Sequence, residues 1–133
     1  MQVSDGMSDV VVEVGVSHTL REAAEKMVER KTGAALVIDE ERPSPAIITE
    51  RDVLISISMG QSAEEERVGD HMSDSVISAA PEWSLERAAA EMSRRGIRHL
   101  VVYDGGDLVG VLSMRDIVRC WTSDGATSGM SPD

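Results

Sequence analysis

Two short stretches carry residue types that could do chemistry. Thr49-Glu50-Arg51-Asp52 and Ser113-Met114-Arg115-Asp116 each set a hydroxyl three residues before a carboxylate, with an arginine just ahead of the acid. Each follows one small residue and two aliphatics, Ala46-Ile47-Ile48 and Gly110-Val111-Leu112. That order predicts a short buried strand turning straight into a helix. The hydroxyl can cap the helix by accepting a backbone N–H of the first turn. The carboxylate meets the positive helix end. Two readings of the pair stay open on the residues alone: capping only, or capping together with ligand contact. Arg51 and Arg115 are open in the same way. They are either surface ion pairs of little weight or planar donors to a phosphate.

Composition narrows the setting. The chain has 133 residues, enough for one ordinary domain or two small ones. A charged fraction of 28% and a hydrophobic fraction of 41% are those of a soluble globular protein. With no Phe, two Trp and one Tyr, the core must be filled by Ala, Val, Ile, Leu and eight Met. The net charge of −11 repels phosphate backbones, so a nucleic-acid partner is disfavoured. A nucleotide in a locally basic site remains compatible with it. One cysteine, Cys120, rules out an internal disulfide and a multi-Cys metal site. No apolar run approaches the roughly 18 residues of a membrane span. The start, Met1-Gln2-Val3-Ser4-Asp5, lacks the pattern of a signal peptide, so a cytoplasmic protein without membrane contact is expected. Gly-x-Ser-x-Gly, His-Glu-x-x-His, Walker-type and Gly-x-Gly-x-x-Gly motifs are absent, and no enzyme is expected.

The elements that must hold the two corners also occur twice. Moving the chain by 65 positions lays Val3-Ser4-Asp5-Gly6-Met7-Ser8-Asp9 on Val68-Gly69-Asp70-His71-Met72-Ser73-Asp74, and Thr19-Leu20 on Ser84-Leu85. Ala23, Ala24 and Met27 fall on Ala88, Ala89 and Met92, and Leu36-Val37-Ile38-Asp39 on Val101-Val102-Tyr103-Asp104. The offset then drops by one, which places one extra loop residue in the first copy. Each copy opens with a β-branched strand, Val10 to Val14 or Ser75 to Ser78. A helix follows, capped by Thr19 with Glu22 or by Ser84 with Arg87 in place of the acid. Its apolar residues at i, i+3, i+4 and i+7 make one face, and Gly33 and Gly96 are its expected stops. Two strands come next, joined by Asp104-Gly105-Gly106-Asp107 in copy two and by a longer loop with Pro43 and Pro45 in copy one. The corner helix is last, Arg51 to Met59 before Gly60, or Arg115 to about Trp121.

The predicted class is therefore α+β, α/β-like, as two β-α-β-β-α units packed with pseudo-twofold symmetry. The bounds are 3–60 for unit one, 61–69 for a polar linker carrying Glu64-Glu65-Glu66, 68–121 for unit two and 122–133 for a disordered tail. His18 and His71 read as solvated turn residues and Cys120 as a packed hydrophobe. Val53, Leu54, Ile57, Ile117, Val118 and Trp121 are expected to form a second, exposed apolar face on the corner helices.

Taken in order and twice, these motifs resemble a tandem pair of CBS domains, the module named after cystathionine β-synthase. The match runs from about Val3 to Trp121. It rests on the Val-x-Asp-x-Met-Ser entry, the Thr/Ser-Leu helix start, Leu-Val-Val/Ile-x-Asp and the two corners. The resemblance implies a regulatory module that holds AMP, ADP, ATP, S-adenosylmethionine or sometimes NAD in clefts between the units, with no cofactor required. It assigns the ribose hydroxyls to Asp52 and Asp116, and ribose or phosphate contact to Thr49 and Ser113. A ribose diol has two donors and a carboxylate two acceptor oxygens, which suits that role. The family's first-strand hydroxyl is matched by Ser78 but not by Glu13, and its basic pair by Arg98-His99 but not by Ala34-Ala35. Ala46 replaces the glycine that Gly110 keeps. In the family arrangement one cleft joins Thr49, Arg51, Asp52 and Glu13 to Arg98 and His99, and the other joins Ser113, Arg115, Asp116 and Ser78 to Ala34 and Ala35. The clefts are then unequal, the first favouring anionic ligands. The resemblance also implies a homodimer, and with no effector domain attached, any output is expected to pass to an unidentified protein target. The alternative function is a CBS-type dimeric interaction protein with empty or degenerate sites.

Overall fold

The computed structural model describes residues 1–123. Its elements run α1 (Val3–Gly6), β1 (Glu13–Gly15), α2 (Leu20–Arg30), β2 (Ala34–Ile38), β3 (Ala46–Thr49), α3 (Glu50–Ser58), β4 (Ser78–Ala79), α4 (Leu85–Arg95), β5 (His99–Asp104), β6 (Asp107–Ser113) and α5 (Met114–Ser123). A short 3-10 turn lies at Val68–Asp70. The class is α+β, with two three-stranded sheets. The residues sort into two compact units, Val11–Val76 and Met1–Val10 together with 77–123.

In the first unit β1 runs parallel to β2, with Val14 opposite Val37, and β2 runs antiparallel to β3, with Leu36 opposite Ile47. In the second unit β4 pairs with β5 through Ser78–Val101, and β5 pairs with β6 through Leu100–Leu112. The repeat helices follow their apolar spacing. Leu20, Ala23 and Met27 are buried in one core, and Leu85, Ala88 and Met92 in the other. The small alanines let each helix lie close to its sheet, so Ala35, Val37 and Ile48 or Leu100, Val102 and Leu112 pack beneath it.

Each unit is completed by a segment from outside its own repeat. Val68 is fully buried in the first core, and its counterpart Val3 is fully buried in the second. The stretch expected as a polar linker is therefore structural. The carbonyls of Ala63 and Glu66 accept from Arg21 and Leu20 N–H at 3.0 Å each, satisfying first-turn donors of α2. Glu64 pairs with Arg21, and Glu66 bonds the His71 ring at 2.8 Å. His71 is thus half-buried and bonded, and His18 Nδ1 accepts from Gly15 N–H at 2.7 Å; neither is a purely solvated turn residue.

Other boundaries shift for physical reasons. Strand register begins only at Glu13 and Ser78, and just ahead of it Val12 O and Ile77 O each accept one hydrogen bond, from Leu36 and Val101 N–H at 2.8 and 3.1 Å. Helix α2 stops at Lys31 in the left-handed region (φ 56°), not at Gly33, whereas α4 stops at Gly96 (φ 66°) as expected. The β5–β6 turn uses Gly105 at φ 63°. Helix α5 extends through Ser123, and the rest of the expected tail, 124–133, lies outside the described residues. Val53 and Ile117 face the cores, and Trp121 is half-buried. Exposed aliphatics on α3 are Leu54, Ile55 and Ile57, with Val118 their single counterpart on α5.

Candidate functional site

Both corners form as strand-to-helix turns. At the end of β3, Thr49 has extended backbone (φ −121°, ψ 163°) and caps α3. Its N–H donates to Asp52 Oδ2 at 2.8 Å and its hydroxyl to the same oxygen at 3.0 Å, while Asp52 N–H donates back to Thr49 Oγ1 at 3.3 Å. At the end of β6, Ser113 N–H donates to Asp116 Oδ2 at 2.8 Å and Asp116 N–H to Ser113 Oγ at 3.0 Å. In each corner the first helical amide also finds a carbonyl at the start of the neighbouring strand. Glu50 donates to Gly33 O and Met114 to Arg98 O, both at 2.9 Å. Capping thus fixes one carboxylate oxygen in both places, and with it the orientation of the group.

The second oxygen differs. Asp52 Oδ1 takes no hydrogen bond from a described residue. Asp116 Oδ1 accepts from Arg119 Nη1 at 3.0 Å, and the same guanidinium donates through Nη2 to the carbonyl of Gly6 at 3.2 Å. Both carboxylates are half-buried. Asp116 is 15% exposed beside an arginine that is 60% exposed. Arg119 was invisible as a site residue because its role depends on Gly6, far away in the chain. The local signal was the acid-to-arginine spacing of three on a helix.

Strand register brings further site residues together within each unit. His99 stands opposite Ser113, and Ser78 opposite Val101, which lies two residues after His99. Alternation then puts Ser78, His99 and Ser113 on one face of the second sheet. By the same rule Glu13, opposite Leu36, shares a face with Thr49, opposite Ala34. Arg51, Arg98 and Arg115 are exposed, and their side chains make no hydrogen bond or ion pair with a described residue. Such guanidinium groups are available to an anion without first breaking a contact. Among the described residues no group of three His, Cys, Asp or Glu could hold a metal, and no helix is long and apolar enough to cross a membrane.

Comparison with known proteins gives the family and fold of the chain. The CBS domain family matches residues 2–58 and again 68–122. The CBS domain-containing protein YhcV of Bacillus subtilis is 29% identical over 130 residues, covering 97% of this chain and 92% of that protein. The chain spans about half the length of other curated relatives it matches, 45% and 54% in two cases. Among solved structures, the hexameric CBS-CP12 protein from bloom-forming cyanobacteria has a TM-score of 0.84 at 26% identity. That match covers all of this chain and 75% of the other. The CBS domain protein PAE2072 from Pyrobaculum aerophilum, complexed with AMP, has a TM-score of 0.78 at 29% identity, covering 96% and 99%.

Proposed function

The chain belongs to the CBS domain family, with two tandem copies of the motif, and from that premise we propose that it senses adenosine-containing nucleotides and performs no chemistry of its own. The ligand is AMP, ADP, ATP or S-adenosylmethionine. Asp52 and Asp116 accept from the ribose hydroxyls, and Thr49 and Ser113 hold those carboxylates in place. Arg51, Arg115, Arg98 and His99 receive the phosphate, and Ser78 and Glu13 line the sheet faces beside the corners. One observation carries the reading: a carboxylate oriented by its own cap, with Oδ1 open to donors at Asp52. An ionised acceptor that is already oriented gives a diol two charge-assisted hydrogen bonds, each stronger than a neutral one. The AMP held by the Pyrobaculum relative supports the ligand class. The ligand is regulatory, so the output passes to a protein partner.

The working form is a cytoplasmic homodimer built on α3. Leu54, Ile55 and Ile57 there are 66%, 46% and 52% exposed, an apolar surface that a second copy would cover. The test is a thermal-shift screen of AMP, ADP, ATP, S-adenosylmethionine and NAD, with light scattering on the same samples. A ligand at 100 times its Kd should stabilise the chain by about 2.7 kcal/mol. The scattering mass should be twice 14.3 kDa. No response to any of the five at millimolar concentration would leave a dimeric interaction protein with empty sites. A 14.3 kDa particle would remove the dimer.

A further inference from the structure

The N-terminal segment lies directly against the second corner. Ser8 and Val111 exchange both backbone hydrogen bonds, at 2.9 and 3.0 Å, on the strand that ends at Ser113. A Cβ on Gly110 would stand 2.6 Å from Ser8 O, and one on Gly6 would stand 2.8 Å from Cys120 Sγ of α5. Arg119 then bridges the segment to the site, with one prong on Asp116 Oδ1 and the other on Gly6 O. The first corner has the matching backbone exchange, Ile47 with Ser73, but among the described residues no such bridge. The residue three after Asp52 is Ile55.

We propose that Arg119 is a positioning residue that couples occupancy of the Asp116 corner to the hold on Met1–Val10, so that a diol-bearing ligand there loosens the segment. This rests on the reading of Asp116 as a ligand carboxylate. A ribose diol that takes both lone pairs of Oδ1, the arrangement read at Asp52, displaces Arg119 from Asp116 Oδ1, while Oδ2 keeps Ser113 N–H. The guanidinium is a rigid plane, and its two prongs cannot be repositioned separately. Losing the charged acceptor leaves it with one long bond to a neutral carbonyl, which is the weaker contact. Binding free energies are reciprocal. If the ligand weakens the tie, cutting the tie must strengthen the ligand by the same factor.

The experiment is amide hydrogen exchange at Ser8, with and without AMP, in the full chain and in Arg119→Lys and Asp116→Asn, with calorimetric titration of each. Lys keeps the charge and loses the fork. In the wild type, AMP should speed Ser8 exchange about fivefold, at the low end of measured couplings. In Arg119→Lys, Ser8 should exchange fast before AMP is added, AMP should add nothing, and AMP affinity should rise by a similar factor. A purely structural arginine would change the basal rate but leave the AMP response intact, and that result overturns the proposal. AMP binding that weakens in Asp116→Asn while wild-type Ser8 exchange ignores AMP overturns the coupling and leaves the site standing. AMP binding indifferent to Asp116→Asn, or no binding at all, overturns both.

Discussion

The corner at Thr49–Asp52 and the corner at Ser113–Asp116 share their two backbone capping bonds, but Thr49 also donates its hydroxyl to Asp52, and their surroundings differ. In the first, the acid keeps one oxygen without a partner among the described residues, Ala46 stands three positions before the cap, and the position three after the acid is Ile55. In the second, Gly110 stands three positions before the cap, and Arg119 holds the second oxygen and the chain's N-terminal segment together. The capping geometry is local, so two copies of one short motif reproduce it. What lies beyond it is set by which segment crosses the strand, and there the copies have diverged. On the proposed reading, a ligand would meet an open oxygen at the first corner and an oxygen already bonded to Arg119 at the second.

The largest difference in stability should come from the small residue three positions before each helix cap. Gly110→Ala drives a methyl into Ser8 O and should cost about 1–3 kcal/mol, the range for overpacking a tight site. Ala46 already carries its Cβ within the core, so Ala46→Gly creates no clash and should cost roughly 1–2 kcal/mol through backbone freedom and the lost buried methyl. Urea unfolding of the two variants decides it. Equal losses would mean that the N-terminal segment yields easily and that Gly110 is not specialised for it.

The repeat helices sharpen the contrast between units at their C-termini. Lys31 and Gly96 occupy the same left-handed position, φ 56° and φ 66°. Lys31→Gly should stabilise the first unit by about 1 kcal/mol, because a side chain in that region costs roughly 1–2 kcal/mol and glycine returns part of it in entropy. Gly96→Lys should destabilise the second by a similar amount, read from melting temperature. A neutral Lys31→Gly would show that the lysine side chain gains something there that the backbone argument omits.

The smallest effect is at the helix starts and depends on pH. Thr19 N–H and hydroxyl bond Glu22 Oε1, at 3.0 and 3.1 Å, and hold the Glu22 carboxyl below its ordinary value of 4.5. A carboxylate whose folded pKa is depressed stabilises the fold above the unfolded value, and that stabilisation is lost as pH falls through the folded one. Wild type and Glu22→Gln should therefore differ in stability at pH 7 and converge in acid below 4.5. The second unit has Arg87 at this position, stacked 3.8 Å from the Trp83 ring centroid, and should show no matching carboxylate step. An NMR titration that puts Glu22 at or above 4.5 would contradict the capping-box account.

Much of this was legible because it is local. The β-α-β-β-α order, the apolar face of Leu20, Ala23 and Met27, and both hydroxyl-to-acid caps follow from spacing within a dozen residues. The segments that complete each core were not legible. Val3 and Val68 align in the repeat, but alignment does not say which core each enters, and each enters the one beyond its own repeat. The supposed linker therefore turned out to carry donors' partners for α2 and a fully buried valine. Arg119 escaped for the same reason, since its second contact lies on the N-terminal segment. Among the aliphatics expected on one exposed face, Val53 and Ile117 went to the cores because a short amphipathic helix lets neighbouring positions face either way.

The most direct test of the central claim removes the diol rather than the protein. AMP and 2′,3′-dideoxy-AMP should be titrated calorimetrically into the wild type and into Asp52→Asn and Asp116→Asn. If the two carboxylates read the ribose, wild-type binding should weaken at least tenfold on losing the hydroxyls, since charge-assisted hydrogen bonds contribute about 1.5–3 kcal/mol. Each Asn variant should weaken AMP but leave the dideoxy compound nearly unchanged. Equal affinity of the wild type for both compounds, or an equal loss for both in the Asn variants, would contradict the account.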